Sequence, residues 1–464
     1  MRRHLSRLLL PCSLVSLGLL ACGGSSSSAS SSGNDSGGPA PTLDQADVAR
    51  LGAATVSPAD EASAVSANNA FAADLYTRLG AQSADQNQNF LTSPLSASLA
   101  LTMTYAGAQG ETATQMATAL HLGSGAATIF SGQNALSQAL AQRGMQALTA
   151  DQGKAGPGGT APSPDDYALQ VVNSVWGEQT YPWATPFLDI LAQDYGTGVY
   201  LEDFVNGYDA ARLAINGWVT DQTSGKITNL LSPGSLDSTT RMVLVNAIHL
   251  KLPWANPFEV AGSQPSSFTR ADGSVVMPTF MNGTLTVPYT DDGQAQVVAL
   301  PLAGQDLYVV VALPHGDLAS YEATLSAGSA ALSVPSNEAL VALSLPKVSF
   351  TSPSFSLTDT LKSMGMTDAF DPNAADLGGL TADARKLHIA DVLQETEIGM
   401  QETGVEAAAA TAVIVAGMDA VAGPPPMPTP VVVDRPYVVS IVDAPTGAVL
   451  FLGHIVDPTQ GSGG

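Results

Sequence analysis

Cysteine is nearly absent from this chain of 464 residues, and the absence removes one common means of stabilisation. Of the two cysteines, Cys12 falls inside an apolar amino-terminal run and Cys22 at its end, so the rest of the chain has no pair for a disulfide and must rely on packing. Basic residues are scarce too: 17 against 41 acidic, a formal net charge of −24, with Arg2, Arg3 and Arg7 among the 17. Such a surface repels nucleic-acid phosphates and anionic lipid headgroups, so neither is expected as a partner. It names no partner of its own, because solubility alone accounts for an acidic exported surface. Conventional catalytic signatures are also missing. There is no Gly-x-Ser-x-Gly elbow, no Ser-x-x-Lys, no His-Glu-x-x-His and no phosphate loop ending in Gly-Lys-Ser/Thr. Thr223-Ser224-Gly225-Lys226 shares part of the last, but Ile227 stands where the hydroxyl belongs, and it reads as structural. His121, His249, His315, His388 and His454 are scattered without metal-ligand spacing. No metal, no cofactor and no enzymatic activity are expected.

The amino terminus carries an address. Arg2, Arg3 and Arg7 precede the run Leu8 to Leu20, and Leu19-Leu20-Ala21-Cys22 resembles a bacterial lipoprotein cleavage box. An uncleaved membrane anchor is the alternative, but the run is short and broken by Pro11, Ser13 and Ser16. The resemblance implies a signal peptide over 1–21 and lipid on Cys22. Several acyl chains, each buried methylene contributing about 0.8 kcal/mol, would hold an exported bacterial protein at the outer membrane or cell surface, touching the membrane only through that anchor. Residues 22–62 read as a tether, with Gly23 to Ala40 a flexible Ser/Gly tract. The folded domain is placed at 63–464.

With 45% hydrophobic residues the chain can bury a large core, and length alone suggests two domains or more. No solenoid repeat is evident, and a surface insertion is expected near Gly153 to Pro164. The most informative stretch is Glu402-Thr403-Gly404-Val405-Glu406-Ala407-Ala408-Ala409-Ala410-Thr411, running into Val413-Ile414-Val415. Four alanines favour a helix, here capped by Thr403, while the β-branched end favours a strand. At strand period Val405, Ala407, Ala409, Thr411, Val413 and Val415 share one small, apolar face and Glu406 takes the other. Gly423 and the prolines through Pro430 then mark a surface loop, stiffened by polyproline II. Pro436 to Val442, Thr446-Gly447 and Ala448 to Gly453 read as strand, turn and strand, so the loop is anchored at both ends.

These residues resemble the serpins, the serine protease inhibitors with their non-inhibitory relatives. The resemblance extends over about residues 65 to 458. It includes Asn89-Phe90-Leu91-Thr92-Ser93-Pro94-Leu95-Ser96, Asn173-Ser174-Val175-Trp176, Ile215-Asn216-Gly217-Trp218, Val243-Leu244-Val245-Asn246-Ala247-Ile248 with Trp254 and Phe258, Leu345-Pro346-Lys347, and the closing Phe451-Leu452-Gly453-His454. Each motif alone is weak, and their order and spacing together are specific. The resemblance implies an α+β serpin fold: one domain, a large central mixed β-sheet, two further sheets, eight to nine helices and an exposed reactive-centre loop at about 402–433.

The same resemblance implies a mechanism. The loop is bait for a serine protease of elastase-, chymotrypsin- or subtilisin-like specificity, or for a cysteine protease. The cut loop then inserts as a strand of the main sheet while the acyl-enzyme persists. Glu402, Gly404, Val405, Glu406, Ala407, Ala408, Ala409, Ala410 and Thr411 form the hinge, and Gly404 supplies conformational freedom. The family's spacing places the reactive bond at Met418-Asp419, with Val415-Ala416 and Val421-Ala422 still open. Inserting Val405 through Met418 makes a strand of about 46 Å. Ser93, Ser96, Asn246 and Trp254 match the region where the sheet opens. Gln394 stands there in place of a usual histidine, and Leu252 in place of a common glycine. The loop is also several residues longer than the family's norm. A non-inhibitory serpin, acting as a surface binding or chaperone-like lipoprotein, is the alternative function. In either case the protein is expected to be a monomer that can link into loop-sheet polymers.

Overall fold

Residue chemistry along the chain settles most elements before packing does. The computed structural model describes residues 41–82, 88–123, 125–154, 162–381, 387–405 and 427–460. Among them are eight α-helices: α1 (Pro58–Gln82), α2 (Pro94–Tyr105), α3 (Gly110–Ala119), α4 (Ala126–Lys154), α5 (Thr185–Ile190), α6 (Phe204–Gln222), α7 (Leu318–Glu322) and α8 (Thr358–Ser363). The strands in chain order are β1 (Thr42–Asp44), β2 (Phe90–Thr92), β3 (Ala168–Glu178), β4 (Val199–Glu202), β5 (Met242–Pro253), β6 (Gln264–Pro265), β7 (Phe268–Thr269), β8 (Val275–Val276), β9 (Thr279–Asp291), β10 (Ala295–Pro301), β11 (Leu307–Pro314), β12 (Glu338–Pro346), β13 (Val348–Ser356), β14 (Val392–Gln401), β15 (Gly404–Val405), β16 (Thr429–Val432), β17 (Tyr437–Asp443) and β18 (Ala448–Ile455). Helix α2 starts where Ser93 caps it, its side chain accepting from the Ser96 amide, with Pro94 in the first turn.

The strands form a seven-stranded sheet in the order β1-β4-β3-β5-β15-β14-β13, a nine-stranded sheet from β16 to β2, and the small β7–β8 pair. The seven-stranded sheet is mixed, since β3 runs parallel to β4 and β14 parallel to β5 while the other pairings are antiparallel. Strand β5 is apolar on both faces and buried on both. Val243, Val245 and Ala247 lie under α6 with Phe204, Ile215 and Val219. On the other face Ile248, Leu250 and Leu252 meet Val309, Val311 and Val439 of the nine-stranded sheet. The expected α+β architecture of three sheets around one core is the observed one.

Two boundaries differ from the reading of the sequence. The tether expected to reach residue 62 ends earlier, because Thr42, Leu43 and Asp44 pair antiparallel with Leu201, Tyr200 and Val199. Gly198 permits this approach, since a Cβ there would stand 2.1 Å from the Asp44 carbonyl oxygen. The loop placed at 402–433 likewise gives way at Thr429, where β16 pairs parallel with β12 from Val341 to Ser344 and Val431 is fully buried. Pro430 is tolerated because β16 is an edge strand.

Helix α4 lies against α1 at Gly132, where a Cβ would stand 2.2 Å from the Asp60 carbonyl oxygen. Backbone cannot yield as a side-chain tip can. Gly132→Ala is therefore expected to destabilise the native state by about 1–3 kcal/mol, read as a lower urea midpoint, and an unchanged midpoint would show that α1 and α4 can separate freely.

Candidate functional site

Four chain segments converge where β14 turns into β15. The Trp254 amide donates to the Thr403 carbonyl at 3.0 Å, and the Phe258 amide to the Glu402 carbonyl at 2.8 Å. The Trp254 indole Nε1 donates to the Gln401 carbonyl at 2.7 Å. The Glu402 carboxylate, 7% exposed, lies 2.5 Å from Lys347 Nζ. Burial would raise this carboxyl's pKa. The Lys347 ammonium and the Ser263 hydroxyl beside it outweigh burial, and the net shift is downward from the ordinary 4.5. The contact is an ion pair by distance, and Glu402 Oε1 has no aligned hydrogen-bond donor. Lys347 and Phe258 appear in the sequence only as family signatures, and Ser263 carries no signal at all. Their convergence on Glu402 is a property of the folded chain.

Gly404 and Val405 are already inside the sheet. Val405 pairs with Leu252 of β5 and Met400 of β14, while Gly404 pairs with Pro253 and Gln401. Val405 and Leu252 are each 1% exposed and share the core. Leu252 thus serves as the apolar partner of the first inward hinge residue. Both residues are in strand β15. Glu406, Ala407, Ala408, Ala409, Ala410 and Thr411, the bond Met418-Asp419 and Cys22 all lie outside the described residues.

Below β15, strands β5 and β14 pair directly through Leu244↔Val392, Val245↔Leu393, Asn246↔Gln394 and Ala247↔Glu395. Gln394, 1% exposed, fixes that seam. Its Oε1 accepts from Thr92 Oγ1 at 2.6 Å and from the Ser93 amide at 2.9 Å. Its Nε2 donates to the Ser93 carbonyl and to Asn246 Oδ1, both at 2.8 Å. Asn246 Nδ2 in turn donates to the Leu393 carbonyl at 3.0 Å. All four positions of the Gln394 amide are engaged. Ser93 Oγ donates to the Leu450 carbonyl at 2.8 Å, and Ser96 Oγ to Asn173 Oδ1 at 3.0 Å. The structure therefore brings Ser93, Asn246 and Gln394 into one buried network with Ser96 beside it. Trp254 sits apart from it, at the hinge.

The geometry is that of a seam: Gly404 and Val405 lie between β5 and β14 at one end, and the two strands pair directly below. Among the described residues no group of three or more His, Cys, Asp or Glu is placed to hold a metal ion, and no helix is long and apolar enough to cross a membrane. A family model described as "Serpin (serine protease inhibitor)" matches residues 66–458. The chain belongs to the serpin family. A serpin-like protein of Thermococcus kodakarensis is 32% identical over 403 residues, covering 86% of each chain. The bovine leukocyte elastase inhibitor is 32% identical over 84% of this chain and 98% of its own. Among solved structures, human thyroxine-binding globulin is similar at a TM-score of 0.71 and 28% identity, over 86% of this serpin and all of that chain. The family is one of protease inhibitors, with members that bind instead.

Two expectations follow for this serpin. Gln394→Ala takes from the Ser93 amide, Thr92 Oγ1 and Asn246 Oδ1 the partner each has in this network, at roughly 1–3 kcal/mol per group, so the unfolding midpoint should fall. Retention of the wild-type midpoint would mean that water replaces the amide. Because the folded Glu402 pKa is depressed, its pair stabilises the hinge fully above the ordinary 4.5 and loses that contribution as pH falls through the folded pKa. Amide exchange at Thr403 and Val405 should therefore accelerate in that acid range, and Glu402→Gln should flatten the dependence.

Proposed function

We propose that this serpin is an exported, Cys22-anchored bacterial lipoprotein that inhibits a serine protease as a suicide substrate. The observation that carries the reading is Val405 seated between Leu252 and Met400. Each further loop residue steps one position down β5 and one down β14. By that count Ala407 would meet Leu250 and Ile398, Ala409 would meet Ile248 and Thr396, and Thr411 would meet Asn246 and Gln394. Alanine suits an apolar seam that must admit a backbone without new bulk. Insertion beyond Ala409 has to part the pairs that begin at Ala247 and Glu395. There the Thr411 hydroxyl offers a donor and an acceptor to the separated Gln394 and Asn246 amides. The loop's own chemistry thus compensates the network it breaks.

The reactive bond proposed is Met418-Asp419. Met418 suits the unbranched apolar pocket of elastase-, chymotrypsin- or subtilisin-like enzymes. The bovine relative's name, an elastase inhibitor, agrees with that class. The binding alternative has one specific support, the likeness to thyroxine-binding globulin. Incubating the soluble chain from residue 41 with subtilisin, chymotrypsin and elastase decides between them. A covalent band of summed mass on a denaturing gel, with mass spectrometry of the released carboxy-terminal peptide, supports inhibition and locates the bond. Cleavage without complex and without a gain in heat resistance supports the binding role.

Val405→Arg places a charge where the wild-type side chain is 1% exposed. The hinge should be expelled and insertion slowed, so cleaved substrate should replace most of the covalent complex. Stoichiometric trapping by this variant would overturn the insertion mechanism. On prolonged mild warming, wild-type chains should form loop-sheet polymers detectable on native gels.

A further inference from the structure

Admitting one more strand widens the central sheet by about 4.8 Å, so one half must move relative to the body. The two halves are held unequally. Strand β14 is tied to β2, and through it to the nine-stranded sheet, by Gln394 at Thr92 and Ser93 and by Thr396 Oγ1 donating to the Leu91 carbonyl at 2.9 Å. The block β5-β3-β4 carries one such side-chain tie, Ser96 Oγ of α2 to Asn173 Oδ1 of β3 at 3.0 Å, and is taken as the half that shifts. Helix α4 is anchored to the body, where Arg143 Nε and Nη2 donate to the fully buried Asp443 of β17 at 2.7 and 3.2 Å and Gly132 seats α4 against α1; it also touches the entry to β3, where Gly144 lies against the Tyr167 carbonyl and Tyr167 Oη donates to Asp151 at 2.8 Å.

Between the moving block and α4 runs the segment 42–53. At one end it is β1, paired to β4 through Thr42, Leu43 and Asp44. At the other it grips α4: Arg50 Nε donates to Asn134 Oδ1 at 2.9 Å and Nη2 to Ser137 Oγ at 2.8 Å. The Leu51 carbonyl accepts from Asn134 Nδ2 and from Gln138 Nε2, each at 2.8 Å. The Leu51 amide donates to the Gln193 carbonyl at 2.9 Å. Arg50 also faces Asp194, which is 8% exposed. Burial raises the Asp194 pKa and Arg50 offsets it.

We propose that residues 42–53 are a strap that ties β4 to α4 and thereby slows the parting of β5 from β14, so that release of the strap quickens strand uptake. The proposal rests on the insertion reading above. Its contacts are few and, apart from the buried Asn134 and Asp194, made by residues partly open to solvent, which suits a restraint that can be released without unfolding the domain.

The test measures strand uptake without any protease. Full-length Arg50→Ala and wild-type chains are incubated with a synthetic peptide of the sequence Val405 to Met418, and its incorporation is followed on native gels. The expected result is uptake faster by roughly tenfold, the factor that one charge-assisted hydrogen bond is worth. Arg50→Lys, which keeps the charge facing Asp194, should fall between. Asn69→Ala controls for general weakening, since it removes the bonds of Asn69 to Gly447 and Val449 far from the strap; it should leave the rate unchanged. Equal rates for wild type and Arg50→Ala overturn the strap alone, as does an Asn69→Ala rate matching that of Arg50→Ala. Failure of the peptide to enter any of the chains overturns the insertion reading, and the strap with it.

Discussion

The seam between β5 and β14 closes over four residue pairs, and in its middle one amide, Gln394, has all four hydrogen-bonding positions engaged at once. The proposed insertion depends on that closure being firm yet replaceable. Each bond contributes about 1 kcal/mol net, while a buried group left without a partner costs more. A partial break is therefore worse than none, and the seam behaves as shut or parted. The amide carries no charge in either state. Acid acts on the hinge through Glu402, and on the seam not through Gln394 but through its neighbour Glu395, whose carboxyl burial holds above the ordinary carboxylate range.

The ends of this path are built from different physics. At the top, Glu402 is held by charge, and by the Trp254 and Phe258 amides donating to the Thr403 and Glu402 carbonyls, while Val405 is held by burial. Lower down, neutral amides and hydroxyls carry the closure. Along one flank, β14 is joined to the nine-stranded sheet through β2, while the opposite flank reaches α4 through the short segment that begins with β1. With no cysteine among the described residues, and with a surface of one dominant charge, stability rests on the apolar contact between the two large sheets.

Much of this was legible in the residues, and the rest for identifiable reasons was not. The alternation at Val405 pointed to one face of a strand, and the order of motifs pointed to the serpin architecture, because both depend on local pattern. Gln394 was legible as an unusual residue at a family position. Its four partners come from segments some 150 and 300 residues away in the chain, at Asn246, Thr92 and Ser93, which no periodicity encodes. The Glu402–Lys347 pair escaped for the same reason. Strand β1 escaped differently: three residues beside a Ser/Gly tract carry too little alternation to register, and what admits them is a missing side chain at Gly198.

If the loop inserts as proposed, the length of β5 bears on which of its bonds is the reactive one. With Val405 opposite Leu252, ten steps down reach Met242, the first residue of β5, opposite Val415. An enzyme acylated on Val415 would be drawn against the end of the strand with no slack. One acylated on Met418 would hang by three residues, about 10 Å of extended chain, and one on Val421 by six, about 20 Å. A long leash transmits little of the pull of insertion to the enzyme, because the slack must straighten before force reaches the acyl bond. The strand length therefore weighs against Val421-Ala422. It leaves Met418-Asp419 and Val415-Ala416 as bonds whose cleavage product the seam can draw taut.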